Sequence, residues 1–149
     1  MIVPVPALYR EDAPRIALIA SSYRRLLGHD LVPASGDPVA ALWDAPLAVV
    51  AHGTQADPVF FFGNRAALAA FEASVDQFTA MPSRFSAEAP LRDERQALLD
   101  RVAAHGFIDD YRGIRISTSG RRFEIAGAVV WNLVDDAGVR QGQAAAFAI

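Results

Sequence analysis

Residues that carry most protein chemistry are sparse in this chain, and their spacing is uninformative for catalysis. There is no cysteine among the 149 residues, and the three histidines, His29, His52 and His105, stand far apart. Disulfides, thiolate metal sites and cysteine nucleophiles are therefore excluded. No His/Glu spacing of a zinc site occurs, so no metal is expected. His52 closes the apolar run PLAVVAH, where its imidazole either serves a pocket as donor or acceptor or satisfies a strand end. His29 and His105 fall at expected helix ends, where histidine commonly meets terminal carbonyls. The segment MPSRFSAEAP is richer, with Ser83, Arg84, Ser86 and Glu88 placing a cation, an anion and hydroxyls close together. Either Arg84 grips a carboxylate or phosphate bidentately with the serines adding hydrogen bonds, or it pairs with Glu88 and shapes the loop. Paired carboxylates, a Ser/His/Asp order and a phosphate-cradling glycine loop are all missing, so the chain does not read as an enzyme.

Length and charge narrow the classes further. A chain of 149 residues is one domain in size, with an N-terminal helical extension over 1–38 and the main body over 39–149. The net charge of -3 and pI near 5.5 argue against a nucleic-acid partner, which needs concentrated cationic surface. No apolar run approaches the roughly 20 residues that a bilayer demands, and the opening MIVPVPALYRED lacks a secretory pattern. A cytoplasmic protein without membrane contact is expected.

The elements that must position these residues can be read in order. Ile16, Ile19, Ala20, Tyr23, Leu26 and Leu27 recur at helical spacing between Pro14 and Gly28, which predicts an amphipathic helix over 15–27. Asp37 and Pro38 read as cap and first turn of a short helix. PLAVVAH and PVFFF are strands joined by a loop. Asn64 caps a helix, Ser74 with Gln77 makes a capping box for another, and a longer helix starts near Leu91 with Leu98, Leu99, Val102 and Ala103 on one face.

The run DDYRGIRISTSGRRFEIAGAVVWNL predicts a hairpin. With Ser119 and Gly120 as a tight turn, Ile116 lies opposite Phe123, Ile114 opposite Ile125, and Arg115 pairs with Glu124 on the solvated side. Alternation then puts Phe123, Ile125, Gly127, Val129, Trp131 and Leu133 on one apolar inner face. Trp131 there either stacks on a flat ligand or is plain core. After the DDAG turn a last strand follows. Close pairing sends Gly142, Ala144 and Ala146 inward, whereas another turn length sends Gln143 and Phe147 inward.

The resulting order, two strands, a group of helices and three strands, describes an α+β PAS-like fold. It comprises a five-stranded antiparallel sheet with helices on one face, enclosing a pocket, plus the N-terminal amphipathic helix. The runs APLAVVAHGTQADPVFFFGNRAAL, FTAMPSRFSAE, DDYRGIRISTSGRRFEI, VWNL and GQAAAF resemble the MEKHLA domain, a PAS-related family, in its bacterial stand-alone form. That resemblance implies a sensory or ligand-binding role and no known reaction. The alternative is an interaction or dimerisation module without a ligand. Expected ligand-binding residues are His52, Phe60, Phe62, Met81, Ser83, Arg84, Ser86, Phe123, Trp131 and Gln143, and a homodimer would use Ile16, Ile19, Tyr23 and Leu26. The cofactor is unknown: the cysteinyl adduct of light-sensing PAS relatives has no cysteine here, and Gly106 beside His105 speaks against a haem ligand.

Overall fold

The capping residues visible in the sequence act as caps in the computed structural model, which describes residues 3–34, 36–87 and 92–149, with the side chains of 92–96 left aside. Helix α1 (Ala7–Glu11) leads directly into α2 (Ala13–Leu27), which Gly28 ends in the left-handed region at φ 83°. In α3 (Pro38–Trp43) the Asp37 carboxylate accepts from the Val39 and Ala40 amides at 3.0 and 3.4 Å. Strands β1 (Ala48–His52) and β2 (Phe60–Gly63) come next, followed by α4 (Arg65–Phe71) and α5 (Val75–Phe78). The Ser74/Gln77 capping box is formed on α5. A 3-10 turn (Ser83–Ser86) and α6 (Arg92–His105) precede β3 (Phe107–Ile116), β4 (Arg122–Val134) and β5 (Arg140–Phe147). Leu91 and Glu88 lie outside the described residues.

Asn64 locks the first half of the fold together. Its Oδ1 accepts from the amides of Val49 and Ala67, both at 3.0 Å, and its Nδ2 donates to the carbonyls of Leu42 and Leu47 at 3.0 and 2.8 Å. One buried side chain thus caps α4, ends α3 and holds β1, with each polar atom used twice.

The strands form one antiparallel five-stranded sheet in the order β2-β1-β5-β4-β3. Its last hairpin departs from the expected register by one residue. Ile116 faces Arg122, Arg115 faces Phe123, Ile114 faces Glu124 and Gly113 faces Ile125. The cause is the loop. Ser117 N donates to Arg121 O at 2.9 Å, leaving Thr118, Ser119 and Gly120 between them, with Gly120 at φ 88°. That is the three-residue hairpin loop ended by a left-handed glycine, in place of a two-residue turn. Glu72 on the neighbouring helix end accepts from the Ser117 and Ser119 hydroxyls and fixes the loop. Because side chains alternate, Arg115 turns to the inner face with Tyr111 and Phe123, while Ile114 and Ile116 face out beside charged partners.

A second irregularity splits β4. Tyr111 pairs with Ala128 and Gly113 with Ile125, so β4 carries an extra residue where Gly127 adopts φ 63°. Phe123, Ile125, Ala128 and Val130 therefore share the inner face, and Val129, Trp131 and Leu133 point to the other. The shared face expected for all of Phe123 to Leu133 is corrected accordingly. The β4–β5 loop repeats the first device: Asp135 N donates to Val139 O at 3.0 Å around a loop ending in Gly138 at φ 80°. Ala144 then faces Trp131 and Gly142 faces Leu133, which brings Gln143, Ala145 and Phe147 inward.

Both faces of the sheet are covered. Helices α4, α5 and α6 lie over the inner face, and α1, α2 and α3 cross the outer one, where Ile16, Ile19, Tyr23, Leu42 and Trp43 pack on Val49, Ala51, Phe62, Trp131 and Leu133. Trp131 Nε1 donates to Ile19 O at 3.1 Å, and Ser22 Oγ accepts from Val134 N at 3.0 Å. Ile16, Ile19 and Tyr23 are buried in this contact and Leu26 is partly buried, so the expected dimer face is already covered by the chain's own sheet.

Candidate functional site

The inner face divides into a filled part and a hollow part. Under α4 and α5 the rings of Phe60 and Phe78 stack at 4.2 Å, and Phe71 meets Phe78, Phe123 and Phe147 at 5.7, 5.3 and 6.3 Å. These rings form one buried apolar cluster with Ala48, Val50 and Ile125. Beneath α6 and the 3-10 turn, by contrast, a cavity of about 500 Å³ remains over the centre of the sheet. It is closed on one side by Val50, Phe60, Phe71, Val130, Ala145 and Phe147, and by Leu98 and Leu99 from α6. Its volume lies within the range of about 300–1,000 Å³ typical of small-molecule sites.

Polar groups gather along the remaining wall. His52 and Gln143 lie opposite each other on β1 and β5, and both line the cavity. His52 Nδ1 is 3.0 Å from the Gly53 carbonyl, which can only accept, so Nδ1 carries the proton and Nε2 is the acceptor. Burial holds the imidazole below its ordinary pKa, with the positive charges of Arg140 and Arg115 adding to that effect and the bond to Gly53 opposing it. Arg115 enters from β3. Burial lowers its pKa, Tyr111 acting in the opposite sense, and its Nη2 lies 3.4 Å from the Tyr111 hydroxyl.

The Ser83–Ser86 turn borders the opening. Ser83, Arg84 and Ser86 all line the cavity, with Ser86 Oγ donating to Ser83 O at 2.6 Å. Arg84 Nε lies 3.1 Å from both carboxylate oxygens of Asp57, and its guanidinium stands over the Phe85 ring at 4.2 Å. This leaves the expected Arg84–Glu88 pairing outside the described residues, while a different carboxylate holds the arginine.

Of the residues singled out in the sequence, His52, Phe60, Ser83, Arg84, Ser86 and Gln143 come together around the cavity. Met81 and Phe123 pack in the aromatic cluster instead. Phe62 and Trp131 are on the opposite face of the sheet, Phe62 with its ring 4.7 Å from Tyr9 and Trp131 5.0 Å from Tyr23, and neither reaches the hollow. For Phe62 the cause is the irregularity between Ala51 and His52, which sets it opposite Ala51; for Trp131 it is the Gly127 bulge. The sequence reading missed Arg115, Tyr111 and Arg140. A three-residue loop ending in Gly120, equally compatible with STSG, was the signal that would have turned Arg115 inward.

Among the described residues no group of His, Cys, Asp or Glu is arranged to hold a metal ion, and no helix is long and apolar enough to cross a membrane.

Solved structures with the same fold include a PAS domain of a protein from Colwellia psychrerythraea, 12% identical, with TM-score 0.61, covering 72% of this chain and 88% of that one. The light-state dimer of the fungal blue-light photoreceptor Vivid is 11% identical with TM-score 0.58, covering 87% and 93% of the two chains. A PAS domain from a two-component sensor histidine kinase is 18% identical with TM-score 0.55, covering 70% and 86%. At these identities the likeness establishes the PAS/LOV-like fold alone. No curated protein matches the chain. The MEKHLA domain model, however, matches residues 13–149, from the start of α2 to the last residue, and the chain therefore belongs to the MEKHLA domain family.

Proposed function

We propose that this protein is a sensory module that holds a small molecule between the inner sheet face and α6, and that occupancy of the cavity is passed to a partner or to self-association by movement of α6. The observation that carries this reading is the hollow itself, about 500 Å³ in a sheet face that is otherwise tightly packed. An apolar wall with a few convergent polar groups is the usual composition of a ligand site. Support for α6 as the mobile part comes from its thin attachment: Val102 is its buried apolar anchor among the described residues, packed with Ile108 and Val130, while Leu99 is 41% exposed. Elements with few buried contacts move first. A ligand touching Leu98 and Leu99 shifts α6 only if it binds one position better than the other.

Native mass spectrometry of the purified protein, beside the variant Ala145→Phe, tests the reading. Ala145 sits mid-strand between Val50 and Val130 and lines the cavity, so a ring there fills it. The wild type is expected to retain a small-molecule mass that the folded variant lacks. A wild type with no retained molecule and no ligand-dependent change in melting defeats the proposal. The same spectra report oligomeric state and so test the dimerisation alternative, which requires a surface other than Ile16, Ile19 and Tyr23.

A further inference from the structure

We infer that the molecule held in this cavity is an acid, with an apolar body and one carboxylate or phosphate group, and that Arg115 binds its oxyanion. The inference rests on the cavity being a ligand site and specifies what that site selects.

Among the described residues the charge of the lining is one-sided. Arg84, Arg115, Arg140 and His52 face the hollow, and no aspartate or glutamate is among the described residues around it, although the chain as a whole has a net charge of -3. The arginines differ in what they already hold. Arg84 is engaged by Asp57 and its side chain is 58% exposed. Arg140 is exposed, and its Nε donates to Asn132 Oδ1 at 3.2 Å. Arg115 is half-buried on the inner face, and its polar side-chain contact among the described residues is the long one to the Tyr111 hydroxyl, with the ring centroid 5.4 Å away. Surface arginines in the same molecule do better: Arg65, Arg101 and Arg112 each hold a carboxylate at 2.6–3.1 Å.

A guanidinium offers five donors in a planar fork, and withdrawing it from water is costly unless an anion completes it. The fork matches the paired oxygens of a carboxylate or phosphate. Next to it, His52 Nε2 and the Gln143 amide add a neutral acceptor and donor for a second polar group, and Phe60, Phe71, Val130 and Phe147 take an apolar or flat body. A molecule with one anionic end and a ring or short chain satisfies both walls.

Binding is tested with phenylacetate, phenyl phosphate and the neutral isostere phenylacetamide, using thermal shift and the proton resonances of His52 in the wild type, with Arg115→Met and Arg84→Gln as variants. One or both acids are expected to raise the melting temperature and to move the His52 titration upward; the acid that does so decides between carboxylate and phosphate. Phenylacetamide is expected to bind at least tenfold more weakly. Arg115→Met should abolish the acid effect, and Arg84→Gln, whose guanidinium Asp57 already holds, should weaken it less. An amide that binds as well as the acids, or an Arg115→Met protein that still answers to acid, overturns the inference. So does a neutral molecule among those retained in native spectra, although the cavity would then stand as a ligand site. Absence of any retained or added ligand removes both readings together. Glu88→Gln checks for an internal counter-ion, since Glu88 follows Ala87, which bridges to Arg115 in the backbone. Non-additive loss of stability in Glu88→Gln and Arg115→Met would give Arg115 a partner within the chain and overturn the inference.

Discussion

Replacing Asn64 by aspartate changes one NH₂ group to an oxygen of nearly the same size, and the environment of that group sets the cost. The Nδ2 atom donates to Leu42 O and Leu47 O at 3.0 and 2.8 Å in a residue that is 0% exposed. An ionised oxygen there would face two carbonyl oxygens without water. Protonation is the available escape, because one O–H can serve one of the two carbonyls. Keeping a carboxyl protonated at pH 7, about three units above its ordinary pKa, costs about 4 kcal/mol at 1.36 kcal/mol per unit. The carbonyl left without a donor adds about 1 kcal/mol. The amides of Val49 and Ala67 favour the ionised form and lower this bound somewhat. Asn64→Asp should therefore lose at most about 5 kcal/mol near pH 7, a fall in melting temperature of roughly 10–20 °C for a domain of this size. A carboxyl whose folded pKa is raised is harmless below its unfolded pKa and destabilises as pH rises. The difference from wild type should accordingly shrink to about 1–2 kcal/mol near pH 4. Urea titrations of both proteins at the two pH values measure it. A loss below about 1 kcal/mol at pH 7, or an equal loss at both pH values, would refute the account of Asn64 as a four-way clamp.

Three further outcomes follow from the geometry. A Cβ on Gly142 would lie 2.2 Å from the His52 carbonyl oxygen, so Gly142→Ala should force β5 away from β1 and cost about 1–3 kcal/mol by urea denaturation; a neutral result would deny the close approach. His52 holds its proton more weakly in the folded chain than in the unfolded one, with Arg140, Arg115, Gln143 and Gly53 as its surroundings. The unfolded chain therefore protonates first on acidification, and melting temperature should decline below about pH 6.5, a decline that His52→Asn removes; an unchanged slope in the variant would place the titration elsewhere. Trp131→Phe deletes the indole donor to Ile19 O, and faster hydrogen exchange confined to α2 is expected, whereas uniform destabilisation would count against a local tie.

Helix ends were the most legible part of the chain because capping is local chemistry. The caps made by Asp37, Asn64, Ser74 with Gln77, and Gly28 each act within a few residues of their own position as type and spacing suggest, although Asn64 also reaches Leu42, Leu47 and Val49. Strand partners were legible as well, since runs such as PVFFF and the alternating RISTSGRRFEI have few other structural uses. What remained hidden is parity. Gly127 at φ 63° and the left-handed Gly120 each insert a residue, and one residue is enough to exchange faces. Trp131 moved from the cavity to the core, and Arg115 from solvent to the cavity, through backbone choices that the side-chain pattern does not encode. The outward-facing Ile114 and Ile116 match the other register on pattern alone, because an apolar alternation ordinarily marks the buried side. The candidate site suffered most, since it depends on which face every strand residue occupies.

The two glycine-ended hairpin loops have a bearing on how such a binding module diversifies. Were the chain to turn on Ser119 and Gly120 alone, with Thr118 drawn into the ladder opposite Arg121, Ile114 and Ile116 would line the hollow and Arg115 would meet Glu124 in solvent. An oil-lined chamber and a cationic one are thus separated by a one-residue slip of register at the turn, a shorter route to new ligand preference than rebuilding the wall residue by residue.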